Sequence, residues 1–371
     1  MRPFTLLIKP AGPDCNIACR YCFYTAKTRF FAAGKHRMSD EVREKLIADY
    51  LRLRLPLSAF AWQGGEPTLM GLDFYKKVVA EQKKFGADGQ VISNSLQTNA
   101  LHLDDEWCDF LREYNWLVGI SLDGPQRFHD YYRRDNAGRG TYDRVIASLE
   151  SCRRRRVQFN ILTLLNDQNV GFPNELFDFF VDMRIKYLQF IPCLEKNLAC
   201  GSITDYSITA PQYGDFLCRI FDRWWEFGPE KISMRILDSL LSYMVQGRHT
   251  DCTFGRRCGD YIVIEHNGDA FCCDFFVDKD YRLGNILETP LAQLFQGQIK
   301  DRFARQKRKI SNLCLICRHH ALCRGGCLKD RIVPDGDFAA PSYFCSAYQQ
   351  FFDYALPRLS QVAARVAQIS V

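Results

Sequence analysis

The sequence predicts an α/β fold built on parallel strands. Two observations carry that expectation. Through the first 195 residues, short β-rich runs alternate with helical patterns, and the polar and glycine residues fall just after the β runs. A third observation sets the rest apart: beyond residue 251 the chain becomes cysteine-dense and irregular, then ends in one amphipathic run.

Strands are expected at FTLLIKP (4–10), AFAWQGG (59–65), QVISNSLQTN (90–99), WLVGISLDG (116–124), VQFNILTLL (157–165) and KYLQFIPCL (186–194). Helices are expected between them, at roughly 39–54, 71–85, 104–114, 141–154 and 172–184. Ser39 and Thr141 sit at helix starts, though neither opens a capping box. Such alternation implies a parallel sheet with right-handed crossovers. Six strands are too few to close an eight-fold barrel, which leaves a partial barrel or an open sheet. QGGEP, QTN and SLDGP all lie at strand ends, the edge where parallel α/β folds place their sites. A linker-like stretch, KNLACGSITDYSITAP, precedes helices near 210–227 and 233–246. A hairpin, YIVIEHNGDAFCCDFF, turns at Asn267-Gly268, and SAYQQFFDYALPRLSQVAARVAQI reads as a closing helix. The expected domains are 1–232, the strand–helix units with the linker, and 233–371, the cysteine-rich region with the helix.

Composition narrows the function classes. The 371 residues are 47% hydrophobic with a net charge of +6, as in an ordinary globular chain. The run Arg153–Arg156 follows a helical segment and reads as a solvated helix end. No basic stripe with interleaved aromatics suggests nucleic-acid binding. No apolar run approaches the roughly 18 residues that span a bilayer, and the N-terminus lacks a signal-peptide pattern. A cytoplasmic protein is expected, whose 17 cysteines are metal ligands or thiols rather than disulfides.

Cys15, Cys19 and Cys22 form a C-x3-C-x2-C loop directly after the first strand. A zinc site would recruit a fourth ligand, for which His36 is the nearest candidate, and buried thiols are the plainer alternative. Three thiolates also suit a [4Fe–4S] cluster with one iron left open, and an open iron is a reaction site.

With Tyr21 before its last cysteine, this loop resembles the signature of radical S-adenosylmethionine (SAM) enzymes. Gly64-Gly65-Glu66-Pro67, one βα unit later, resembles their methionine-binding motif. The resemblance implies a partial (β/α)6 TIM-like barrel whose open iron chelates the amino and carboxylate groups of SAM. Reducing the cluster would then release a 5′-deoxyadenosyl radical. By the same resemblance, Gly64 and Gly65 let backbone approach the ligand. Glu66 would neutralise its ammonium, Ser121 and Asp123 would bond its polar groups, and Arg133 would take its carboxylate. Tyr21, Tyr24, Gln63 and the backbone near Leu194 are further candidates for cofactor or substrate contact.

The later segment CLICRHHALCRGGC has C-x2-C-x5-C-x3-C spacing. Alone it would allow a pair of zinc sites. Behind such a core, the array resembles a SPASM-type extension with two auxiliary [4Fe–4S] clusters. That resemblance assigns Cys252, Cys258, Cys273 and Cys327 to one cluster, with Cys273 preferred over its neighbour Cys272. It assigns Cys314, Cys317, Cys323 and Cys345 to the other. His319 and His320 are expected to be structural or solvated.

LLIKPAGPDCNIACRYCFY, FAWQGGEPTL, SLQTNA, VGISLDGP, YLQFIPCLE, CDFF, RLGNI and FFDYALPRL together resemble the anaerobic sulfatase-maturating enzymes over nearly the whole chain. These oxidise a Cys or Ser of a sulfatase peptide, within Cys/Ser-x-Pro-x-Arg, to Cα-formylglycine. The resemblance makes Asp274, after Cys273, the candidate base. The alternative is an aspartate that caps a turn. It also implies a flavodoxin- or ferredoxin-like reductant. A maturase that cross-links small precursor peptides is the other enzymatic reading, disfavoured because the first strand begins by about residue 4. A non-catalytic metal-binding module would leave the pairing of the three-Cys loop with GGEP unexplained.

Overall fold

A computed structural model describes residues 2–197, 200–331 and 338–369. The expected alternation is present. Strands β1 (Thr5–Lys9), β2 (Leu57–Trp62), β3 (Val91–Thr98), β4 (Leu117–Ser121), β5 (Gln158–Leu165) and β6 (Tyr187–Pro192) coincide with the six predicted runs. They are followed by β7 (Ser233–Met234), β8 (Tyr261–Glu265), β9 (Asp269–Phe271) and β10 (Arg282–Asn285). The expected helices are α1 (Asp40–Arg52), α2 (Leu72–Phe85) and α3 (Asp105–Glu113), then, beyond α4 (Gln126–Tyr132), α5 (Tyr142–Arg154) and α6 (Pro173–Asp182). After them come α7 (Ala210–Phe227), α8 (Arg235–Gln246), α9 (Leu291–Gln296) and α10 (Gln298–Gln306). Three single turns, α11 (Asn312–Leu315), α12 (His320–Cys323) and α13 (Leu328–Arg331), precede the long α14 (Cys345–Ile369). The short α4 and the strand β10 lack a clear period in the sequence.

The chain forms two compact units that interleave along the sequence rather than dividing at 232/233. The first holds 1–121, 132–159 and 259–304; the second holds 122–131, 160–258 and 305–371. In the first, the strand order is β10-β9-β8-β1-β2-β3-β4. β1 pairs parallel with β2 on one side and, unexpectedly, with β8 on the other, Lys9 lying opposite Glu265. The predicted hairpin is therefore part of the first unit's sheet. Alternation sets the faces: Leu6, Ile8, Phe60 and Trp62 are buried, while Leu7, Ala59 and Ala61 between them are half-buried. Trp62 stacks with Phe60 and Trp116 and meets Phe74 and Tyr75 edge-on, a core beneath α2 and α3. Ser39 caps α1 by accepting from the Val42 amide, whereas the Thr141 hydroxyl donates to the Arg133 carbonyl instead. The Arg153–Arg156 run ends α5, where Arg154 and Arg155 pair with Asp105 on α3.

In the second unit, β5, β6 and β7 are parallel neighbours. A capping box at Thr209 and Gln212 starts α7. That helix packs along α14, where Asp222 accepts from Tyr354 and pairs with Arg358. No helix among the described residues is long and apolar enough to cross a membrane.

Candidate active site

In the first unit, parallel register aligns the carboxyl ends of β1 to β4, so the segments that follow them meet along one edge. The segment that leads from β1 into the Cys15–Cys22 loop is sewn to the Gly64–Glu66 strap by backbone. Gly65 N–H donates to the Gly12 carbonyl at 2.9 Å and Glu66 N–H to that of Asp14 at 2.8 Å. A Cβ on Gly65 would lie 2.1 Å from the Asp14 carbonyl oxygen, and Gly64 has φ +133°, so both positions demand glycine.

Glu66 is wholly buried. Its Oε1 accepts from the Thr68 amide (3.0 Å), the Thr68 hydroxyl (2.6 Å) and the Thr98 hydroxyl (2.7 Å), and its Oε2 accepts from the Asn99 amide (2.8 Å). The carboxylate thus ties the end of β2 to the end of β3, and only Oε2 keeps room for another donor. Asn99 extends the tie into the cysteine loop, donating to Asn16 Oδ1 at 2.7 Å and standing 3.7 Å from Cys15 Sγ. Thr68 and Asn16 both contact His102, a residue the sequence did not single out.

Burial, with the Glu66 and Cys22 charges adding to it, pushes the Cys15 thiol up to about 12. A buried thiol of this kind becomes a thiolate when a metal supplies the balancing charge. His36 is not available as a fourth ligand, because Nδ1 meets Asp14 at 2.6 Å and Nε2 meets the Ala32 carbonyl at 2.9 Å. At the same edge, Ser121 accepts from Gln97 at 3.1 Å, and the Arg133 guanidinium lies 5.5 Å from the Tyr21 ring.

Asp274 starts a single 3-10 turn after β9. The Tyr261 hydroxyl donates to its Oδ1 at 3.1 Å, and Lys9 Nζ stands 3.9 Å from its Oδ2. Tyr261 also lies 2.9 Å from Cys273 Sγ. The almost wholly buried Lys9 sits over the Tyr24 ring at 4.0 Å, and the Tyr24 hydroxyl donates to both oxygens of Glu265, at 2.5 and 2.6 Å. Burial pushes the Glu265 carboxyl up to about 7. The sequence reading missed Lys9, Tyr261 and Glu265; a charged residue inside each of two apolar β runs was the available signal.

The second unit holds the remaining candidates. Asp123 is buried and accepts from the Leu164 amide at 3.1 Å; Leu194 is buried after β6. Cys314, Cys317, Cys323 and Cys345 line a single cavity with His319, Tyr348 and Phe352. Burial raises Cys345 to about 11 and also raises Cys323, and the neighbouring thiols add to both. Four thiols lining one apolar cavity suit an iron–sulfur cluster in donor type. His319 is held by Asp353 at 2.5 Å. Burial raises Cys252 above its ordinary range and brings Cys327 to about 12; Cys258 adds to both. Of the four thiols expected at this auxiliary cluster, these three belong to the second unit and Cys273 to the first. None of the 17 cysteines forms a disulfide.

Comparison with known proteins defines the class first. The Radical SAM superfamily profile matches residues 10–180, and that of an iron–sulfur cluster-binding domain, SPASM, matches 252–318. The serine-type anaerobic sulfatase-maturating enzyme of Bacteroides thetaiotaomicron is 36% identical, over 96% of this chain and 90% of its own length. The cysteine-type enzyme of Clostridium perfringens is 35% identical, over 99% and 100%. The solved structure of native anSMEcpe with bound AdoMet superposes with a TM-score of 0.91 at 35% identity, covering 98% of this chain and all of that one. The chain belongs to the anaerobic sulfatase-maturating enzymes, within the radical SAM superfamily.

Proposed function

We propose that this chain oxidises one Cys or Ser side chain of a sulfatase peptide to Cα-formylglycine. The arrangement around Asp274 supports this most directly: a carboxylate held by Tyr261 and faced by Lys9, in the unit that carries the cysteine loop and the glycine strap. Bound SAM and iron–sulfur clusters would supply the radical that removes a hydrogen atom from Cβ and the route by which one electron leaves.

The chain's own residues do the rest. Cys15, Cys19 and Cys22 would hold the first cluster, and the eight later cysteines two more. Gly64, Gly65 and Glu66 Oε2 would seat the methionine end of SAM, with Ser121 and Arg133 on its polar groups. Tyr21 and Tyr24 would wall the cofactor edge; Asp123 and the Leu194 backbone are assigned to it by resemblance. Asp274 Oδ2 would take the proton from the substrate thiol or hydroxyl, and Tyr261 would keep the carboxylate turned for that transfer. Hydrogen atom, proton and electron together complete a two-electron oxidation. For a Cys substrate, water then replaces sulfur and sulfide is released. A chain with 17 cysteines, eleven of them assigned to clusters, suits a reducing cytoplasm, where a flavodoxin- or ferredoxin-like protein would supply electrons.

The test is anaerobic reconstitution followed by dithionite, SAM and a peptide containing Cys-x-Pro-x-Arg. The expected result is release of 5′-deoxyadenosine together with a peptide whose mass shows the thiol replaced by an aldehyde oxygen. Cofactor cleavage with a cross-linked or unchanged peptide would turn the reading toward another radical maturase.

A further inference from the structure

We propose that the surface over Cys314 and Cys317 is the docking site for a small acidic electron-carrier protein. Leu313, Leu315 and Ile316 are 63, 65 and 85% exposed, and Ile316 has the largest exposure among the large apolar side chains reported for the described residues. They surround two of the four thiols that line the second unit's cavity, and Leu313 itself borders that cavity. Aliphatic side chains left this open mark a contact surface rather than a packing remnant.

Charge identifies the occupant. From Arg305 to Lys329 the chain has seven Lys and Arg residues and no Asp or Glu. Lys307 turns inward to the Thr253 carbonyl, and Lys329 pairs with Glu195. Arg308, Lys309 and Arg318 are exposed, and Arg318 is paired with Asp353. Exposed apolar and basic side chains in one segment suit an acidic partner, which the charges would steer and the apolar side chains would hold. The proposal rests on iron–sulfur ligation by Cys314, Cys317, Cys323 and Cys345. One electron leaves the reduced group at these thiols, while the partner's flavin gains that electron and takes one proton from water.

The probe is oxidised flavodoxin, measured anaerobically with the reconstituted enzyme and without peptide. Binding is read by calorimetry across a salt series, and flavin reduction by the dithionite-reduced, desalted enzyme is read by stopped flow. Leu315→Ser with Ile316→Ser, and separately Arg308→Glu with Lys309→Glu, should each weaken binding and slow flavin reduction at least tenfold. Iron content and dithionite-driven SAM cleavage should stay at wild-type levels. Wild-type binding should weaken as salt rises. Unchanged affinity and rate in both variants would overturn the proposal. So would a wild-type dimer that the Leu315→Ser, Ile316→Ser variant dissolves, since the patch would then serve a second copy of this chain. Because no peptide is present, failure to make formylglycine refutes the proposed function alone, and failure to reduce flavin at the patch refutes the docking site alone.

Discussion

Replacing Glu66 with Gln tests whether the strap is held by a buried charge. The carboxylate is wholly buried and accepts four hydrogen bonds, three at Oε1 and one at Oε2. The amide of Gln can keep its oxygen toward Thr68 and Thr98, but its NH2 then faces the Asn99 N–H, donor against donor. A stranded buried N–H costs about 1–3 kcal/mol, and each bond at Oε1 loses roughly 1 kcal/mol as its acceptor becomes neutral. Relief of the carboxylate's own burial cost returns part of this. A net loss of about 2–4 kcal/mol follows. For a unit of this size that corresponds to roughly 4–16 °C in melting temperature. Thr98→Val removes one donor to Glu66 and also strands the buried Ala100 N–H, which donates to the Thr98 hydroxyl at 2.9 Å, so it should cost about 2–4 kcal/mol. Calorimetric scans of the anaerobic holoprotein measure both. If Glu66→Gln melts within 2 °C of wild type, the buried-charge account of the strap is wrong.

Asp274→Asn keeps the volume and an acceptor for Tyr261, so SAM cleavage should persist while aldehyde yield falls about 10²- to 10⁴-fold; wild-type aldehyde yield would remove the base role. The Glu265 carboxyl stands at about 7 against an ordinary 4.5, chiefly through burial, so the folded protein keeps a proton that the unfolded chain has already released. Its contribution to stability is full below about 4.5 and is lost as pH rises through 7. Glu265→Gln should therefore flatten the fall in melting temperature between pH 5 and 8, and equal slopes in the two proteins would contradict this. Cys323→Ala should lower reconstituted iron from about twelve to about eight per chain while SAM cleavage continues; a full iron complement would exclude that thiol as a ligand. Gly65→Ala places a Cβ against the Asp14 carbonyl, so the altered protein should fail to bind SAM, as equilibrium dialysis would show.

Much of this molecule is legible along the chain because the relevant physics is short-ranged. Six strands and their helices appear as a change of period, and each falls within a few residues of its expected place. The cysteine loop and the Gly64–Glu66 strap are readable for the same reason: their residues lie within a few positions of one another. The turn at Asn267-Gly268 announces itself too, with Gly268 at φ +86°. The capping box at Thr209 and Gln212 was equally available and went unread.

What only the tertiary structure decided is partnership between distant segments. YIVIE reads as one strand of a hairpin, and nothing in its apolar pattern says that it lies parallel to β1, more than 250 residues earlier. That pairing sets Glu265 opposite Lys9 and carries Tyr261, Cys273 and Asp274 into the first unit. It also turns a predicted boundary at 232/233 into two interleaved units. Strand partners are chosen by burial of whole faces, a property of the folded chain that no local window contains. The set of bonds that Glu66 accepts from Thr68, Thr98 and Asn99 belongs to the same class, since the donors come from two strand ends. The sequence determined which residues carry the chemistry; the fold decided which of them face one another.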